Sequence, residues 1–107
     1  MSRIRVEVED KEYVIEYNRD SIIKMEEMGY DALNPASKFL TNFEIMVFGG
    51  LLKHQPDTSW KKAIEISEYL RSEYEIDKLI EALNGAINEV FFPKATGKKK
   101  KKLKVEK

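Results

Sequence analysis

The sequence predicts an α+β fold: an N-terminal β-hairpin packed on a small bundle of about four helices, followed by a basic C-terminal tail. Three observations carry this. Apolar residues alternate with charged ones through the first 17 positions, recur at helical spacing from about residue 19 onward, and give way to lysine after Pro93. The domain organisation that follows is one folded domain over 1–93 and a lysine-rich, disordered tail over 94–107.

Ile4, Val6 and Val8 alternate with Arg3, Arg5, Glu7 and Glu9, and Tyr13, Ile15 and Tyr17 resume the alternation after a polar stretch. Two strands in a hairpin over 3–17 is the reading, with the turn type left open because neither Asn-Gly nor Asp-Gly occurs there. A lone hairpin is marginal in water, so its apolar face must rest on the helices that follow.

Asn18 caps a predicted helix over about 19–28, on which Ile22, Met25 and Met28 share a face and which Gly29 stops. The stretch from Asp31 to Ser37 contains Asn34-Pro35 and reads as a connection. Thr41-Asn42-Phe43-Glu44 has the pattern of a capping box and predicts a helix over 42–53. Phe43, Ile45, Met46, Val47, Phe48, Leu51 and Leu52 cover nearly every side of that helix, which places it in the middle of the domain. Gly49-Gly50 inside it weakens helix propensity by about 1 kcal/mol each relative to alanine, a penalty that predicts a close contact or a kink. Beyond Pro56, Asp57 or Thr58 caps a helix over 58–72 whose stripe is Trp60, Ala63, Ile64 and Leu70, with Ile66 and Tyr69 beside it. Ile76, Leu79, Ile80, Leu83, Ile87, Val90 and Phe91 then define a helix over 75–92, with Gly85 in its interior as at a helix crossing.

The balance of 19 basic and 19 acidic residues is the sum of two unlike parts. Residues 1–93 hold 11 basic and 18 acidic residues, a net −7, and residues 94–107 hold 8 and 1, a net +7. With no cysteine there is no disulfide, thiolate metal site or cysteine nucleophile. No signal-peptide-like apolar stretch opens the chain, and the longest apolar run, Ile45 to Leu52, is far short of the roughly 20 residues that span a membrane. A cytoplasmic protein with no membrane association is the expectation.

Catalytic chemistry finds little footing. One histidine, His54, cannot make a metal site alone and stands where a cation would complement the end of the buried helix. No serine lies in an activating pattern. Glu26-Glu27 and Glu65 with Glu68 have the spacing of solvated helix faces more than of an acid/base pair. Gly49-Gly50 lacks the third glycine and the Lys-Ser/Thr of a phosphate loop. The expectation is no enzyme and no cofactor. Lys98, Lys99, Lys100, Lys101 and Lys102 are the candidates for nucleic-acid contact through phosphates, but no aromatic accompanies them for base stacking and the acidic body opposes a polyanion. Nucleic-acid binding is therefore the secondary reading.

Tyr13-Val14-Ile15-Glu16-Tyr17-Asn18-Arg19-Asp20-Ser21-Ile22, followed by Met25-Glu26-Glu27-Met28-Gly29-Tyr30, resembles the opening of small tail assembly chaperones of phages and prophages of Gram-positive bacteria. The similarity extends to Phe48-Gly49-Gly50-Leu51-Leu52-Lys53-His54-Gln55-Pro56 and, in pattern only, to the last helix; the Pro35 connection and the lysine tail are not features that the family requires. The resemblance implies a non-enzymatic virion assembly factor in the host cytoplasm that binds the tape measure protein, keeps it soluble and helps recruit the tail tube protein. It also admits copies of the same chain as partners, and a longer form made by ribosomal frameshifting, for which the run Lys98 to Lys102 would record a slippery adenine tract. Tyr30, Phe39, Ile66 and Tyr69 are the candidates for a partner-facing surface, with core packing the alternative for each. A minor structural subunit of the virion is the remaining alternative.

Overall fold

The computed structural model describes residues 2–31, 34 and 38–93. Ile4–Val8 (β1) and Lys11–Ile15 (β2) pair antiparallel, with Val6 opposite Tyr13 and Ile4 opposite Ile15. The turn between them is made by Glu9 and Asp10, both at positive φ (48° and 67°), as a type I′ connection requires. That geometry lets the two strands keep their right-handed twist, but at the cost of placing two residues with a Cβ in the left-handed region. Val6, Val8, Tyr13 and Ile15 face inward and are buried, while Arg5, Glu7 and Glu12 stay exposed.

Four helices follow among the described residues: Arg19–Glu27 (α1), Phe39–Leu51 (α2), Trp60–Glu73 (α3) and Ile76–Phe91 (α4). The α+β architecture read from the sequence is thus the one observed. Asn18 caps α1 by accepting from the Ser21 backbone N–H at 2.8 Å, and the Ser21 hydroxyl accepts in return from the Asn18 N–H. At the other end Gly29 adopts φ 106°; its N–H donates to the Glu26 carbonyl and that of Tyr30 to the Met25 carbonyl, the paired bonds of a Schellman stop.

The start of α2 differs from the expectation. Thr41 and Glu44 form no capping box, because the helix begins at Phe39, two residues before Thr41; Lys38 precedes it at φ 54° with no side-chain cap. The pattern Thr-x-x-Glu carries capping chemistry only at a helix start, and here it lies inside the first two turns. For α3 the cap is Ser59, which accepts from the Lys62 N–H at 3.0 Å, rather than Asp57 or Thr58.

The central position of α2 follows its all-round apolar character. Every residue from Ile45 to Leu51 is buried. α1 and β2 lie against one side and α3 against another. The glycines are sites of close approach. A Cβ on Gly49 would lie 2.4 Å from Met25 Cγ of α1, and one on Gly50 would lie 2.4 Å from Ile15 Cγ2 and 2.9 Å from Tyr17 Cζ of the β2 end. Gly50 thereby lets the hairpin sit directly on the helix backbone, where its carbonyl accepts from the Glu16 N–H at 2.9 Å. The Tyr17 hydroxyl, buried at the same junction, donates to the Met46 carbonyl at 2.6 Å.

Side chains from the helical half occupy the outer edges of the hairpin. Gln55, just beyond α2, accepts from the Val14 N–H (2.9 Å) and donates to the Val14 carbonyl (2.9 Å) and to the Leu51 carbonyl (2.7 Å). On the opposite edge the Tyr74 hydroxyl accepts from the Glu7 N–H (2.8 Å) and donates to the Glu7 carbonyl (3.1 Å). The predicted disordered tail, 94–107, lies outside the described residues.

Candidate interaction surface

Two features of the body are not explained by packing of its core: a buried carboxylate that gathers cations, and apolar side chains left in solvent. Glu16 continues β2 and, by strict alternation with Ile15 and Tyr17, would point to water. Instead its side chain is only 4% exposed. Oε1 accepts from Arg3 Nε (3.0 Å) and bonds His54 Nε2 (2.8 Å), and Oε2 accepts from Lys53 Nζ (2.6 Å). The turn after α2 delivers Lys53 and His54, and the bond from the Glu16 N–H to Gly50 holds the strand end beneath them.

Hydrogen bonds from Lys53, then from His54, outweigh the cost of burial and lower the Glu16 pKa from 4.5 to about 2. A carboxylate so held is ionised throughout the neutral range, has no proton to donate there, and has both oxygens engaged. It fastens the hairpin to the end of α2. His54 is thus a partner of Glu16, a role that its place after α2 did not reveal. Two tyrosines lie nearby in chain order: burial raises the pKa of Tyr17, with Tyr30 adding to it, and burial followed by the Asp31 charge raises that of Tyr30. Both remain neutral phenols at physiological pH. Among the described residues no three His, Asp or Glu side chains converge as metal ligands would, and no helix is long and apolar enough to cross a membrane. Glu26, Glu27, Glu65 and Glu68 are exposed.

The four side chains expected at a partner-facing surface separate. Tyr30 (7% exposed) and Ile66 (1%) are core residues, which corrects that expectation: the Schellman turn folds Tyr30 inward, and Ile66 lies with Ala63 and Leu70 on the buried face of α3. Tyr69 is partly buried against the same core. Phe39 alone of the four is open, at 47%, beside Leu40 at 51%. It stacks on Phe43 with ring centroids 6.2 Å apart, and the Arg71 guanidinium lies 5.9 Å from the Phe43 ring. Lys98 to Lys102 lie outside the described residues.

The sequence reading missed a second apolar area at the end of α4. Phe91 (38% exposed) and Phe92 (63%) stand there with ring centroids 6.3 Å apart. Next to them is an open groove of about 580 Å3 between the start of β1 (Ser2, Ile4) and the outer face of α4 (Ala82, Gly85, Ala86, Glu89). The Ser2 N–H and hydroxyl donate to the Glu89 carboxylate at 3.2 and 3.0 Å and set its width at one end. The signal in the sequence was Phe91-Phe92 at the limit of the helical pattern, where the second ring falls off the buried stripe.

Compared with known families, the whole chain, residues 1–107, matches the model of DUF5055, a domain of unknown function. The chain belongs to this family. No curated protein and no solved structure matches it. Membership in DUF5055 carries no activity with it, so a functional reading must come from the chemistry of the surface.

Proposed function

We propose that this DUF5055 protein is a phage tail assembly chaperone, which binds the tape measure protein, keeps it soluble and helps recruit the tail tube protein in the host cytoplasm. The observation that supports this reading best is the pairing of open apolar side chains, Phe39 and Leu40 at one place and Phe91 and Phe92 at another, with a body of net charge −7. Apolar contacts shield the sticky helices of a partner, and the surplus negative charge keeps the complex in solution. The resemblance across residues 13–30 and 48–56 supports the same reading.

Co-expression with the tape measure protein from the same gene cluster tests it. The expected result is a soluble complex that is lost when Phe39, Leu40, Phe91 and Phe92 are all replaced by serine, and absence of this chain from mature virions. A tape measure protein that stays insoluble beside the intact chain, or this chain found in finished particles, overturns the proposal. In the alternative reading the lysine run binds nucleic acid, and deletion of 94–107 abolishes a salt-sensitive DNA interaction.

A further inference from the structure

We propose that the surface formed by the start of α2 and the last turn of α3 binds a segment of a partner protein that sets one carboxylate among apolar side chains, with Arg71 receiving the carboxylate; the proposal deepens the chaperone reading and rests on it for the partner's identity. Arg71 is half-buried, and its Nη1 is shut off from solvent without a hydrogen-bond acceptor. Among the described residues no other buried side-chain nitrogen or oxygen is left so. An unpaired buried donor carries the full cost of its lost hydration, so the arrangement weakens the free chain. Carboxylates stand three residues before Arg71 and four after, yet neither pairs with it: Glu68 is exposed, and Glu75 lies 3.5 Å from Lys78.

The charge of Arg71 complements the C-terminal end of the α3 dipole, but a fully solvated side chain would do so equally well. The helix end does not explain why the guanidinium is drawn against aromatic rings. It lies 5.9 Å from the buried Phe43 ring, on which Phe39 stacks at 6.2 Å, and Phe39 with Leu40 beside it in the chain is left about half open to solvent. Contact with an aromatic face fixes the plane of the guanidinium, and a fixed plane is what a two-pronged bond to a carboxylate needs. The first turn of α2 holds no acidic residue, and Lys38 before it offers no side-chain acceptor, so the positive end of that helix also favours an anion near Phe39. A carboxylate reaching the open edge of the fork draws Nη1 out of its unpaired position; a neutral or cationic group does not. Phe39 and Leu40 further require that the ligand be apolar around its acid, which a peptide segment is and a free inorganic anion is not.

The probe is a labelled peptide of about 15 residues made of Leu, Ala and Gln with one central Glu, compared with the same peptide carrying Gln at the centre, each titrated by fluorescence anisotropy against the full chain. The Glu peptide is expected to bind roughly tenfold more tightly. Arg71→Met is expected to erase that difference while its Tm equals or exceeds that of wild type, because the change removes the unpaired donor and keeps an unbranched side chain at Phe43. Phe39→Ser is expected to weaken both peptides, and circular dichroism confirms that both variants are folded. Equal affinity of wild type for the two peptides, or no binding of either, overturns the proposal. A Tm of Arg71→Met clearly below that of wild type does so too, since it assigns Arg71 to the scaffold. So does a wild-type dimer that Arg71→Met disperses, which assigns the carboxylate to a second copy. If the Glu peptide binds through Arg71 but the tape measure protein does not bind the chain at all, the site stands and the chaperone reading falls; if the tape measure protein binds Arg71→Met and Phe39→Ser as it binds wild type, the reverse holds.

Discussion

Glu16 shows how much a single side chain can join. Its carboxylate is reached from the first residues of the chain through Arg3 and from the turn after α2 through Lys53 and His54, so its ionisation is tied to folding. With a pKa of about 2 in the folded state against 4.5 ordinarily, its contribution is complete above about pH 4.5 and is lost as pH falls toward 2. Glu16→Gln is expected to cost about 2 kcal/mol at neutral pH, the range for hydrogen bonds to charged groups, and to flatten the fall in stability between pH 4.5 and 2, measured by urea unfolding across that range. An unchanged slope would show that Glu16 is not the linked group. The two helix glycines give a second test. Gly50→Ala drives a methyl into Ile15 and Tyr17, and overpacking of about 2 kcal/mol exceeds the roughly 1 kcal/mol regained in helix propensity. Gly49→Ala clashes with the unbranched Met25 side chain, while the Ser21 carbonyl lies at an ordinary 3.7 Å, so thermal unfolding should show a smaller loss.

Among the elements, the hairpin and α2 illustrate what local pattern can and cannot carry. Alternation located both strands, and the all-round apolar surface of α2 placed it at the centre, because each depends on periodicity within a few residues. The start of α2 was misplaced since a capping box is a statement about where a helix begins, and Thr41-Asn42-Phe43-Glu44 lies inside one. The Glu16 cluster was not legible for a different reason: it joins positions 37 and 38 residues apart that share no period. Of the expected surface residues, Tyr30 was turned inward by a helix stop and Ile66 by a wider buried face on α3 than the stripe alone implied. The turn, left open by the sequence, is a type I′ made from Glu-Asp. Asp10→Gly should therefore stabilise the domain by about 1 kcal/mol, seen as a higher Tm, by removing a Cβ from the left-handed region. Gln55→Ala removes both bonds to Val14 and should cost about 2 kcal/mol, with faster amide exchange at Val14 and little change at Val6 on the partner strand.

At the level of the whole molecule, the segregation of charge matters more than its sum. The body carries −7 and the last fourteen residues +7, two opposite charges under a neutral total. A chain ending at Pro93 should keep its unfolding transition and its capture of an apolar partner while losing any salt-sensitive retention on DNA, as measured by gel shift at 50 and 200 mM salt. Loss of apolar capture on the same truncation would move the binding function from the body to the tail.

The Gln55 and Tyr74 contacts have one more consequence. Each supplies, from a side chain, the donor and acceptor that a neighbouring strand would otherwise supply to Val14 or Glu7. The two-stranded sheet is thereby closed to lengthening at the fourth residue of each strand, and recognition cannot proceed there through main-chain pairing, which is indifferent to sequence. Any partner met at these two positions is therefore selected by side chains, and that choice can be rewritten by point substitution without disturbing the hairpin.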